Sequence, residues 1–167
     1  FNLAKTNKSK YRRILLIRKD HIENLEKIIS DRRSWVVSIK SAGNILRGEN
    51  YVYAFPEVRL NKNIAKKGEV IAYENIYLAN SDSEAIRKKI KFLLSSTLAE
   101  VKRRGSLSSE LKVNATQINN LGKNLVSREK GDIQIIAKAI DDSQSADKVS
   151  ISIEMKYLER SLFNNNK

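Results

Sequence analysis

Fifteen residues, Val58-Arg59-Leu60-Asn61-Lys62-Asn63-Ile64-Ala65-Lys66-Lys67-Gly68-Glu69-Val70-Ile71-Ala72, constrain the fold more than any other part of this chain. Val58 and Leu60 alternate with polar residues before a basic turn, and Val70 and Ala72 do so after it. Both arms therefore read as extended and half-buried, with Gly68 closing the turn. A chain of this kind must build part of its core from strands. The same stretch holds no nucleophile, histidine, cysteine or phosphate-cradling glycine run, so its message is architectural.

The remaining elements follow from periodicity. Arg13–Arg18 reads as a buried strand. A helix then opens on Asp20 as N-cap, with Glu23 as its capping-box partner, and carries Ile22, Leu25, Ile28 and Ile29 on one stripe. Trp35–Ile39 is a second strand, with Trp35 as a core anchor. Turns at Ser41–Asn44 and Arg47–Asn50 bracket Ile45-Leu46, which is expected to tuck inward, and Gly43-Asn44 suits positive backbone angles. Tyr51–Asn61 is a third extended run, and Pro56 inside it implies an edge or an interruption. Alternation puts Tyr51, Tyr53 and Phe55 on one side of that run, as a candidate interaction edge.

The longest helix spans about Ser83 to Arg104, with Ile86, Ile90, Leu93 or Leu94, Leu98 and Val101 inward, and Gly105 is its natural stop. A shorter one covers Ala115–Val126. Ile133–Ile140 and Val149–Met155 pair as a closing hairpin. The expectation is one α+β domain over residues 11–160, with a mixed or antiparallel sheet, two or three helices and a C-terminal β-hairpin. Residues 1–10 form a loose lead-in and 161–167 a frayed tail.

Composition removes several chemistries. With no cysteine there is no disulfide and no thiolate metal site. A lone His21 cannot make a histidine pair, and it reads as exposed and structural. No apolar run approaches the about 20 residues that a membrane helix needs. Asp141, Asp142, Asp147 and Glu154 can be cast as a cation set, but three of them crowd one hairpin link, where Asp serves turns. Ser41 lacks a base. The expectation is a non-enzymatic chain with no cofactor and no evident small-molecule substrate.

The net charge is +13. Residues 1–105 hold 23 basic and 11 acidic side chains, whereas residues 106–167 hold nine and eight, so the excess lies in the first part. The 20 Lys, 16 Asn and 19 Ile are residues of AT-rich codons, which explains much of the lysine as a solvated surface. The sharper reading gathers Lys62, Lys66, Lys67, Arg87, Lys88, Lys89, Lys91, Lys102, Arg103 and Arg104 on one face. Such a face suits anionic lipid or a phosphate backbone.

The run Arg33-Ser34-Trp35-Val36-Val37-Ser38-Ile39-Lys40-Ser41-Ala42-Gly43-Asn44-Ile45-Leu46-Arg47-Gly48-Glu49 resembles the VVRILSAGNYLxGE signature of a cyanobacterial family. Those proteins carry a domain of unknown function and are often labelled myosin-heavy-chain-like. Lys19–Leu25 is similar to the helix before that signature, Asn61–Ala72 to its glycine turn, and Arg103-Arg104-Gly105 to its RRAG close. The resemblance covers about residues 12–158. It implies N-terminal membrane spans and a long coiled coil outside this chain, in keeping with a start at Phe1 that reads as a processed product or fragment. The expected role is then a protein-interaction or scaffold domain, cytoplasmic and membrane-tethered, with a protein partner or a second copy bound. A nucleic-acid-binding domain using the basic helix and turn is the alternative.

Overall fold

Alternating runs form strands and 3.6-residue stripes form helices in the computed structural model, which describes residues 14–78, 81–128 and 131–158. The readings for 1–10 and 161–167 lie outside the described residues. In chain order the elements are β1 (Ile14–Ile17), α1 (Lys19–Ile29), β2 (Trp35–Ser41), β3 (Tyr51–Leu60), β4 (Asn63–Ala65), β5 (Val70–Tyr77), α2 (Ser83–Arg103), β6 (Lys112–Val113), α3 (Ala115–Val126), β7 (Asp132–Ala139), β8 (Ser143–Gln144) and β9 (Ser150–Tyr157). The class is α+β as read from the sequence, with three helices among the described residues and the closing strands β7 and β9 paired. The chain divides into two compact units, residues 1–60 and 61–167.

The first unit is a three-stranded sheet in the order β1-β3-β2, with β1 parallel and β2 antiparallel to β3. The third run is therefore central, which corrects its reading as an edge. Pro56 fits there for a definite reason. The Ala42 N–H donates to the Tyr53 carbonyl at 2.8 Å, so odd-numbered β3 residues bond β2 and even-numbered ones point toward β1. Pairing with β1 ends at Ile17 opposite Ala54. Pro56 thus lacks its N–H on the side where β1 has already stopped.

The helix α1 packs against β3 but buries none of its own residues. Its N-cap is Arg18, without a side-chain bond, not Asp20. The Arg18 guanidinium donates to both Asp20 carboxylate oxygens at 3.0 and 2.7 Å, and this contact draws Asp20 away from capping and lowers its pKa. Trp35 is half-buried, not a full core anchor: its indole N–H donates to Asp31 at 2.7 Å and Arg33 stacks 4.6 Å from its ring. Ile45 and Leu46 stand exposed instead of tucking in. Gly48, not Gly43, takes the positive φ.

The second unit holds the larger core. Its four-stranded sheet runs β5-β7-β9-β6, with β5-β7 and β7-β9 antiparallel and β6-β9 parallel. A short β4-β8 pair stands apart from it. The arm at Val58 and Leu60 ends β3 and pairs with β2, and the arm at Val70 and Ala72 pairs with β7, so the two arms do not pair with each other. The helix α2 lies on β5 and β7, and α3 lies against α2 and β9. Ile86, Ile90, Leu93, Leu121 and Leu125 from the helices meet Ile76, Ile133, Ile135, Ile151 and Ile153 from the strands.

Local chemistry sets the helix ends. Asp82 accepts the Ala85 N–H at 2.7 Å and opens α2. At the other end the Ser106 N–H bonds the Val101 carbonyl and the Gly105 N–H bonds the Lys102 carbonyl, the double closure of a Schellman motif. Gly105 sits at φ 108. Gly105→Ala puts a Cβ into that conformation and is expected to cost about 1–2 kcal/mol in a urea melt, with an unchanged slope.

Candidate functional site

Carboxylates engage part of the expected basic face, four of its ten side chains. Arg104 donates to Glu69 at 2.6 Å, to Glu100 at 2.8 Å and to the Ile64 carbonyl at 3.1 Å. Arg103 donates twice to Glu100 at 2.8 Å. Lys89 reaches back to Glu74 on β5, and Lys88 faces Glu84 at 3.9 Å. Hydrogen bonds from Arg103 and then Arg104 hold the Glu100 carboxyl at a pKa of about 2. Arg104 is therefore a clasp between the end of α2 and the turn.

The other six form no ion pair among the described residues; Lys62, Lys66 and Lys67 lie about the turn, and Arg87, Lys91 and Lys102 are spread along α2. Lys91 and Lys102 lie roughly 16 Å apart along a helix rising about 1.5 Å per residue. Arg87 and Lys91 stand near its start, whereas Lys102 stands near its close. The turn itself is already satisfied. The Glu69 N–H bonds the Lys66 carbonyl at 3.0 Å, and the Lys66 N–H bonds the Glu69 carboxylate at 2.9 Å. The Lys67 N–H bonds Asp142 at 2.7 Å. A carboxylate occupies the position that an anion would take. Lys62, Lys66 and Lys67 remain exposed around it.

The acids of the hairpin link serve turns as well. Asp142 holds the Lys67 N–H, Asp147 accepts the Gln144 N–H at 2.8 Å, and Glu154 pairs with Lys138 at 2.5 Å. Among the described residues no three His, Cys, Asp or Glu side chains gather as a metal-holding group. No helix among them is long and apolar enough to cross a membrane.

Tyr51, Tyr53 and Phe55 do share one face, on the central strand. They are 56%, 68% and 40% exposed, whereas Val52 and Ala54 on the other face are buried. Register sets Ile14 beside Tyr51 and Leu16 beside Tyr53. Lys40 stands beside Phe55, and Glu57 and Arg59 follow along β3. Arg59 donates to Glu57 at 2.9 Å and Lys40 lies 3.7 Å from it. The result is an aromatic row with a rim of both charges.

A second surface has no counterpart among the sequence expectations. A groove of about 410 Å³ runs along α3, lined by Asn114, Thr116, Gln117, Asn120, Leu121, Asn124, Ile153 and Met155. Carboxamides at 117, 120 and 124 recur at helical spacing, so the stripe was readable. Its meaning was not, because a polar stripe reads as solvated until the strand beside it is known.

The chain is similar to an uncharacterized cyanobacterial protein. It shares 29% identity over 133 residues with the uncharacterized protein alr4393 of Nostoc sp. (strain PCC 7120 / SAG 25.82 / UTEX 2576). That match covers 80% of this chain and 26% of the relative, so the chain spans about a quarter of the relative's length. No family model matches, and no solved structure matches.

Proposed function

We propose that this chain is a non-enzymatic protein-interaction module that pairs with a second copy of itself through the exposed face of β3. The observation that carries this reading is the row Tyr51, Tyr53 and Phe55, exposed in a unit whose helix has no fully buried residue. Exposed aromatic rows with a charged rim have the composition of interface centres. Lys40 and Arg59 flank Glu57 and pair with it, so the rim carries both charges, and two copies related by a two-fold axis can exchange these pairs. The module stands at the end of a longer, cytoplasmic, membrane-tethered coiled-coil protein of the kind the sequence resembles. The match to about a quarter of a longer cyanobacterial relative supports that setting.

Light scattering across a concentration and salt series tests the pairing. Two copies of a chain with net charge +13 repel, so association strengthens as salt screens them. Tyr53→Lys is expected to weaken it at least about tenfold. A wild type that stays monomeric at high concentration and high salt rejects the reading. The second reading, nucleic-acid binding, rests on Lys62, Lys66, Lys67 and Lys102, which make no ion pair among the described residues. Its salt dependence runs the opposite way, with affinity for duplex or single-stranded DNA falling as salt rises.

A further inference from the structure

We propose that the groove along α3 takes up an extended, uncharged peptide, which adds as a strand to the open outer edge of β9. The hydrogen-bond phase of β9 leads to this assignment. The Ile140 N–H donates to the Ser150 carbonyl at 2.9 Å and the Leu158 N–H to the Asp132 carbonyl at 2.9 Å. Even-numbered β9 residues therefore bond β7, and Ile151, Ile153, Met155 and Tyr157 turn their N–H and C=O groups outward. On that outer side β6 pairs only at Ser150 and Ile151. The chain then leaves the edge at Asn114, whose side chain caps α3 by accepting the Thr116 and Gln117 N–H groups. From Ile153 to Tyr157 no strand among the described residues pairs with the outer edge.

What lines that edge fits a peptide backbone. Gln117 Nε2 already donates to the outward Ile153 carbonyl at 3.4 Å, a long bond that a strand would replace or share. Asn120 and Asn124 make no side-chain hydrogen bond among the described residues. Each carboxamide offers one acceptor and two donors, the groups that peptide units need. Leu121, Ile153 and Met155 supply an apolar floor, and no lining residue is charged. Strand addition draws its affinity from main-chain bonds and its selectivity from alternate side chains. Residues 153–157 admit about five residues of partner at about 3.3 Å each. The edge has already accepted one strand, β6, so its twist and spacing suit another. The outer edge of β5 is likewise unpaired among the described strands.

Amide exchange and peptide titration on the full chain test this. In the free protein the Ile153, Met155 and Tyr157 amides are expected to exchange fast, and Ser152, Glu154 and Lys156 slowly. The probe is a capped heptapeptide of alternating Thr and Val. It is expected to shift and protect the three outward amides, whereas the same peptide N-methylated at alternate residues does not. Asn124→Leu is expected to weaken the response up to about tenfold. Met155→Pro removes an outward N–H without touching the β7 ladder and is expected to abolish the response. Slow exchange at all three outward amides in the free protein overturns the proposal, because the edge is then already covered. So does an absence of shifts at 153–157 with millimolar peptide.

Discussion

Leu93→Ala is expected to lower the unfolding free energy of the 61–167 unit by about 3–5 kcal/mol. Leu93 is 0% exposed in the middle of α2, within the core that α2 makes with the sheet. Truncation removes its transfer free energy and leaves a cavity, because close-packed neighbours relax only in part. The substitution spares the local backbone chemistry: the Leu93 carbonyl still accepts the buried Thr97 hydroxyl at 2.7 Å. Against a usual domain stability of about 5–15 kcal/mol, the loss is large. Phe92→Ala is the control one residue away. Phe92 is 59% exposed, so its truncation is expected to stay within about 0.5 kcal/mol. Urea denaturation followed through amide signals of the unit separates the two. A loss under about 1 kcal/mol for Leu93→Ala would mean that α2 does not rest on the sheet as described.

Arg104→Leu carries the second largest expected effect, about 1–3 kcal/mol. One guanidinium ties Glu69, Glu100 and the Ile64 carbonyl together, so removal unbinds the turn and leaves two carboxylates without their shared cation. Arg104→Lys is expected to rescue little, since a single ammonium cannot span three acceptors in a planar fork. The pH dependence has a definite sign. Glu100 sits at about 2 against an ordinary 4.5, and Glu69 is lowered too, first by the Lys66 N–H and then by Arg104. Groups depressed in the folded state stabilise fully above the unfolded value and lose that contribution as pH falls through the folded one. Wild-type stability is therefore expected to decline between about pH 5 and pH 2, and the Arg104→Leu profile to be flatter there. Parallel profiles for the two proteins would exclude the clasp.

Much of the architecture was legible residue by residue. The boundaries of α3 match the reading at Ala115 and Val126, and those of α2 fall within one residue of it. Both rest on local information: an apolar stripe and a capping side chain, joined in α2 by a glycine after the last turn. Pro56 was read with the right physics and the wrong conclusion. Proline does need an open side, but that side opened because β1 is only four residues long, a fact about a different segment. Asp20 was misread for a similar reason: Arg18 competes for the carboxylate that would otherwise cap α1.

The candidate surfaces divide the same way. Alternation alone placed Tyr51, Tyr53 and Phe55 on one face, because successive strand residues point to opposite sides. It did not say which face α1 leaves bare. Nor did charge counting tell free lysines from engaged arginines. By itself the sequence determined the longer helices and strands and most of their apolar sides, since those follow from contacts within about four residues; the start of α1 and the short strands β4, β6 and β8 did not follow from it. Tertiary structure alone decided strand order, the Arg104 clasp, the Lys67–Asp142 closure and the outer edge of β9 that no described strand pairs beyond Ile151. Arg104 and Glu69 are 35 residues apart and Lys67 and Asp142 are 75. Hydrogen bonds across such separations depend on how the chain is brought together in space, which no local pattern encodes.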